Sequence, residues 1–149
     1  MNHIAKYSIA LISVLVAFSS CKKDEPLVSA IPKVEFISIS PAEVKEYKDE
    51  IVIKIAYLDG DGDLGENNPN VSNLFVVDLR DTITYEFRIQ QLSPEGADIA
   101  IRGNLNVILS NSAITDGSAS QTVNYALFVK DRAGNMSNIV FSTPINVTK

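Results

Sequence analysis

Four stretches of this chain alternate apolar and polar residues with a period of two, which confines the fold to extended strands with one buried face. Ile51, Ile53, Ile55 and Tyr57 share one face, with Lys54 opposite. Tyr85, Phe87 and Ile89 alternate with Glu86 and Arg88. Ile99, Ile101, Leu105, Val107 and Leu109 share one parity, interrupted by Gly103 where a bulge or a close packing contact belongs. Val123, Tyr125, Leu127 and Val129 repeat the theme, with Asn124 and Lys130 opposite. Shorter apolar runs lie at Val34–Ile39, Leu74–Leu79 and Ile139–Val147, so seven or eight strands are expected. Ala42–Glu50 carries charges at helical spacing, but it is short and follows Pro41, and it reads as a turn.

Turn-forming residues separate these runs at Asp59–Asn70, Arg80–Thr82, Ser93–Gly96, Asn111–Ser120 and Asp131–Asn135. Many short strands with one buried face predict an all-β, antiparallel sandwich, with a jelly roll or small barrel as the alternative. The stretch Tyr125-Ala126-Leu127-Phe128-Val129-Lys130-Asp131-Arg132-Ala133-Gly134-Asn135, completed by Ser137, resembles the penultimate strand and following turn of bacterial Ig-like and fibronectin-like modules. The resemblance implies an Ig-like (fibronectin type III-like) antiparallel β-sandwich of 7–8 strands over residues 33–149. It implies no activity.

The N-terminus has a different character. An apolar run, Ile9–Phe18, follows Lys6, and the small residues Ser19 and Ser20 lead into Cys21, the sole cysteine. Lys22, Lys23, Asp24 and Glu25 come directly after it. The uncharged stretch between Lys6 and Lys22 is shorter than the roughly 20 residues a membrane-spanning helix needs. The segment resembles a bacterial lipoprotein signal peptide in the relaxed form that tolerates Phe18 before the cysteine. That resemblance implies removal of residues 1–20 and acylation of Cys21, which would hold the protein to a membrane through lipid. The acidic stretch after the cysteine resembles a signal for display on the outer face of the outer membrane. Residues 21–32, with Pro26 and Pro32, then form a flexible tether of at most roughly 40 Å. The order of motifs along the chain resembles that of small Bacteroidota-type surface lipoproteins, and the resemblance carries a location and no reaction.

The strongest chemical signal is Asp59-Gly60-Asp61-Gly62-Asp63-Leu64-Gly65-Glu66. Carboxylates at alternate positions, spaced by glycines, can converge on a hard cation such as calcium, and without one they repel. Asp59, Asp61 and Asp63 match the first, third and fifth positions of an EF-hand loop. Leu64 stands where that loop needs its turn glycine and Asn70 where it needs its bidentate Glu, so an EF-hand is excluded. In an Ig-like topology the loop after Lys130 lies at the same end, so Asp131 joins Asp59, Asp61, Asp63 and Glu66 as a candidate calcium ligand, with Asn135 able to offer a carbonyl. The plainer alternative is a solvated turn whose glycines serve positive φ, with Asp131 capping the turn it begins.

Other functions find less support. The sole histidine, His3, falls in the signal segment, and no nucleophile elbow or phosphate loop is present. Glu66, Glu86 and Glu95 could supply a carboxylate pair, but no pattern singles them out, and the chain reads as non-catalytic. A net charge of −5 with no basic stripe excludes phosphate-backbone binding, and with it nucleic acid. Glycan capture needs exposed aromatic faces. Tyr57, Tyr85, Phe87 and Tyr125 sit at core parity, there is no Trp, and only Tyr47 and Phe128 face outward. The sequence thus reads as a lipid-anchored binding or structural module for an unknown protein or glycan partner, stabilised by calcium.

Overall fold

The computed structural model describes residues 28–149. The signal segment 1–20, Cys21 and the tether up to residue 27 lie outside the described residues. Ten strands follow in order: β1 Lys33–Ser40, β2 Glu43–Lys45, β3 Ile51–Asp59, β4 Leu74–Asp78, β5 Thr84–Phe87, β6 Ile101–Leu109, β7 Ser120–Val123, β8 Tyr125–Val129, β9 Val140–Phe141 and β10 Ile145–Thr148. No helix occurs among the described residues.

The strands form two layers around one core. One layer has the order β1-β3-β6. The other has the order β5-β4-β8-β9 and continues into β2-β10-β7. All pairs are antiparallel except β2 with β10. Val34, Ile51, Ile53, Ile55, Val107 and Leu109 from the first layer meet Leu74, Val76, Val123, Tyr125, Leu127 and Val129 from the second in a single cluster. The fold is therefore an all-β sandwich, and its inward residues are those marked by the period-two pattern.

Two of the ten strands are continuations of their neighbours. β7 and β8 are separated only by Asn124, and β9 and β10 by three residues ending in Pro144. The register moves by one between Ala126↔Phe141 and Val123↔Ile145, so a bulge divides what is otherwise one hairpin. At the break, the Ser142 hydroxyl accepts the Tyr125 N–H at 2.9 Å. Eight runs of strand result. β1 carries a similar irregularity between Phe36 and Ser38, which turns Ile37 to solvent and restores Ile39 to the inner face.

Two details differ from the sequence reading, and a third decides between its alternatives in favour of close packing. Ala42–Glu50 is more than a turn, because β2 lies within it and pairs in parallel with β10. Ile99 shares the parity of β6 but precedes it and is 54% exposed. Gly103 makes no bulge: the β3–β6 register runs unbroken, Gly103 pairs with Tyr57, and a Cβ there would meet the Tyr57 ring at 2.7–3.0 Å. Tyr57 covers the gap left by the missing side chain.

Polar groups close the ends and edges. The Asn138 side chain accepts the Val34 N–H at 3.0 Å and donates to the Val34 carbonyl at 2.9 Å, satisfying the outer edge of β1 as a strand would. Asp78, at the inward-facing end of β4, is 1% exposed and is held by Arg80 at 2.7 Å. Arg80 also donates to the carbonyl of Ala113 and the side chain of Gln121. A buried acid at this end of the sandwich thus has a buried cation for a partner. Removing Arg80 would leave Asp78 a lone buried charge, at a cost of about 3–5 kcal/mol.

Candidate metal centre

At the opposite end of the sandwich, strand parity again delivers acids to the core. Asp59 continues the inward series Ile51, Ile53, Ile55, and Asp131 continues Tyr125, Leu127, Val129. Asp59 is 0% and Asp131 6% exposed. Between them the loop after β3 folds inward because Leu64 enters the core, fully buried. Asp59 Oδ2 fixes that turn by accepting the Leu64 N–H at 2.8 Å.

The second loop is joined to the first by Asp63. Its carbonyl accepts the Arg132 N–H at 3.3 Å and its Oδ2 accepts the Ala133 N–H at 2.9 Å. The Arg132 guanidinium donates to the Gly65 carbonyl at 2.9 Å rather than to a carboxylate. Asp131 accepts both the backbone and the side-chain N–H of Asn135, at 2.7 and 2.9 Å, so it does cap its turn. A carboxylate has about four acceptor positions, which leaves Asp131 able to bind elsewhere as well.

One carboxylate oxygen each from Asp59, Asp63 and Asp131 lie within 4.8 Å of one another. Oxygens on a calcium shell of radius about 2.3–2.6 Å are separated by at most roughly 5 Å, so the three fit around one ion. Asp61, expected as a fourth ligand, is not one of the converging three, though its charge acts on both Asp59 and Asp63. Asp59 Oδ1, Asp61 Oδ1 and Asp63 Oδ1 are all buried with no hydrogen-bond donor among the described residues. Nor does any Lys or Arg pair with these acids there: the salt bridges are Arg80–Asp78 and the exposed Lys33–Glu35. Glu66 stands apart from the group, and its carboxylate accepts the Asn68 N–H at 2.8 Å to close a separate turn. The sequence placed it near the acids, but the inward turn at Leu64 carries it away.

The glycines have steric reasons as well as conformational ones. Gly62 has φ 75°, and a Cβ there would sit 2.4 Å from the Ile99 carbonyl. Gly60 has no positive φ, yet a Cβ would meet the carbonyls of both Val28 and Ser29 at 2.4 Å. Ser93 and Arg132, which hold this loop through its carbonyls, carry no signature a sequence reading can use. The shared parity of Asp59 and Asp131 with their apolar neighbours is the legible signal that both acids face the core.

Residues 28–149 contain no His or Cys, so the donors at this centre are hard oxygens. Calcium accepts 6–8 such ligands in flexible geometry, whereas magnesium demands a near-octahedral arrangement and retains waters. The outward aromatic anticipated at Phe128 has a partner. It stacks on Phe75 with ring centroids 4.9 Å apart, both half-buried on the outer face of the second layer. No protein-family model matches this chain, and no curated protein matches it.

Burial pushes the Asp59 carboxyl up from its ordinary 3.8 to about 6, opposed by the Leu64 N–H and reinforced by Asp61, Asp63 and Asp131. Asp63 is raised as well, chiefly by burial and then by the Asp131 charge. A group whose pKa is higher folded than unfolded stabilises the fold when protonated, and that stability is lost as pH rises through the folded value. In chelator, the thermal midpoint should therefore rise as pH falls from 7.5 to 5. Asp59→Asn, which keeps an acceptor for Leu64, should flatten that dependence. Differential scanning calorimetry across the pH series is the check, and an unchanged slope in the variant would contradict it.

Proposed function

We propose that this protein is a non-catalytic, lipid-anchored β-sandwich module of the outer-membrane surface, with a calcium ion as part of its fold. The cation reading is carried by Asp59 Oδ1, a fully buried carboxylate oxygen beside two other acids, with no donor among the described residues. An unpaired buried charge costs several kcal/mol, and a divalent ion turns the mutual repulsion of the acids into attraction. The contrast with Asp78 strengthens the case, since that acid has Arg80.

The Ig-like assignment is supported by strand order. The orders β1-β3-β6 and β5-β4-β8-β9 correspond to A-B-E and C′-C-F-G, with β2 as a short parallel addition to the last strand. Anchoring and surface display rest on Cys21 and its lipoprotein-like surroundings. The non-catalytic reading rests on the lack of imidazole or thiol after Cys21 and on acids that converge in the interior rather than across a cleft. Glycan capture is the second reading, favoured by the Phe75–Phe128 pair. The two rings stack on each other, however, and so offer a sugar less open face than two side-by-side rings would.

Two experiments test the proposal. Millimolar calcium, at about 100 times its dissociation constant, adds roughly 2.7 kcal/mol to a protein that binds it only when folded. The midpoint of the chain lacking residues 1–20 should rise by about 10 °C over chelator, and Asp63→Asn, which keeps an acceptor for Ala133, should abolish the rise. An equal rise in that variant would overturn the site. For the anchor, Cys21→Ser should move the protein from the membrane fraction to the soluble fraction and stop incorporation of labelled palmitate. Retention in the membrane would contradict lipid anchoring.

A further inference from the structure

We propose that cation occupancy of this centre clamps the N-terminal segment 28–31 onto the sandwich. The inference rests on the cation reading above and extends it from stability to the geometry at which the domain leaves its N-terminal side. The Gly60 N–H donates to the Ser29 carbonyl at 2.9 Å, and it alone ties residues 28–31 by a backbone hydrogen bond to the rest of the described chain before β1 pairs at Lys33↔Leu58. Apolar contact is partial: Val28 and Ile31 are 40% and 55% exposed, and Pro32 after them is buried. The contact is nonetheless close: a Cβ on Gly60 would lie 2.4 Å from two successive carbonyls of the segment.

Gly60 lies between Asp59 and Asp63, two members of the converging group, each with a buried, unpartnered Oδ1. An ion held by Asp59 and Asp63 fixes the backbone on both sides of Gly60 and so fixes the direction of its N–H. Without an ion, the acids repel and the most conformationally free residue of the loop lies between them. A single backbone hydrogen bond shifts a population by only roughly two- to tenfold, so a change of that size in the loop decides whether the segment is held. The Ser29 hydroxyl accepts the Ile31 N–H at 3.0 Å, giving the segment a local turn that docks as a unit. With Cys21 lipidated, as proposed, this clamp would set how the domain stands over the membrane.

Hydrogen exchange on the full chain tests the clamp, with the thermal midpoint read on the same samples in chelator and in calcium. Calcium should raise the midpoint and slow exchange at the Gly60 and Ile31 amides by about tenfold relative to Ile53 in the middle of β3. In Gly60→Ala, calcium should still raise the midpoint, while Ile31 keeps its fast exchange. A raised midpoint with unchanged Ile31 exchange in the wild type overturns the clamp and leaves the cation site standing. An unchanged midpoint overturns both. Should Gly60→Ala not fold, the wild-type comparison decides alone.

Discussion

A buried carboxylate at the end of the central strand governs one whole end of this molecule. β3 is paired on both sides, with β1 and β6, and its alternation places Asp59 on the same inner face as Ile51, Ile53 and Ile55. The acid is shielded from bulk solvent there, and the Leu64 N–H satisfies one of its oxygens. The other oxygen faces further acids. Burial of this kind favours a proton or a cation, and it pushes the Asp59 carboxyl up to about 6.

From that constraint the surrounding loops follow. Leu64 seals the core beneath the acids, and Asp63 binds the backbone after β8. Gly60 and Gly62 let the segment at Ser29 and the carbonyl of Ile99 approach the same loop. Four stretches of chain distant in sequence thus meet around one group of carboxylates. The far end handles an inward acid differently: Asp78 meets a protein cation, Arg80, and that end carries its own counter-charge. The comparison gives the acidic centre its meaning, because one fold places buried acids at both ends and, among the described residues, pairs a cationic side chain with only one.

The layers were legible in the sequence because burial on one face writes a period of two, and the strands at Ile51–Asp59, Ile101–Leu109 and Tyr125–Val129 keep it. The meeting of Asp131 with Asp59 and Asp63 was legible through topology. β2 was hidden because three residues give no period, and its partner β10 lies about a hundred residues away. Glu66 was misplaced because nearness in sequence is not nearness in space once Leu64 turns inward. The pairing of Asn138 with Val34 and the reach of Arg80 to Ala113 and Gln121 depend on long-range geometry that no local pattern encodes. Phe75 escaped notice as the partner of Phe128 because it sits in the uninterrupted apolar stretch Leu74–Val77, with no alternation to assign its face.

The most direct test is anomalous diffraction from crystals of the soluble domain grown with calcium and at neutral pH. One ion per chain is expected, about 2.3–2.6 Å from carboxylate oxygens of Asp59, Asp63 and Asp131. A map with no anomalous peak among these residues, and with water donating to Asp59 Oδ1 instead, would contradict it.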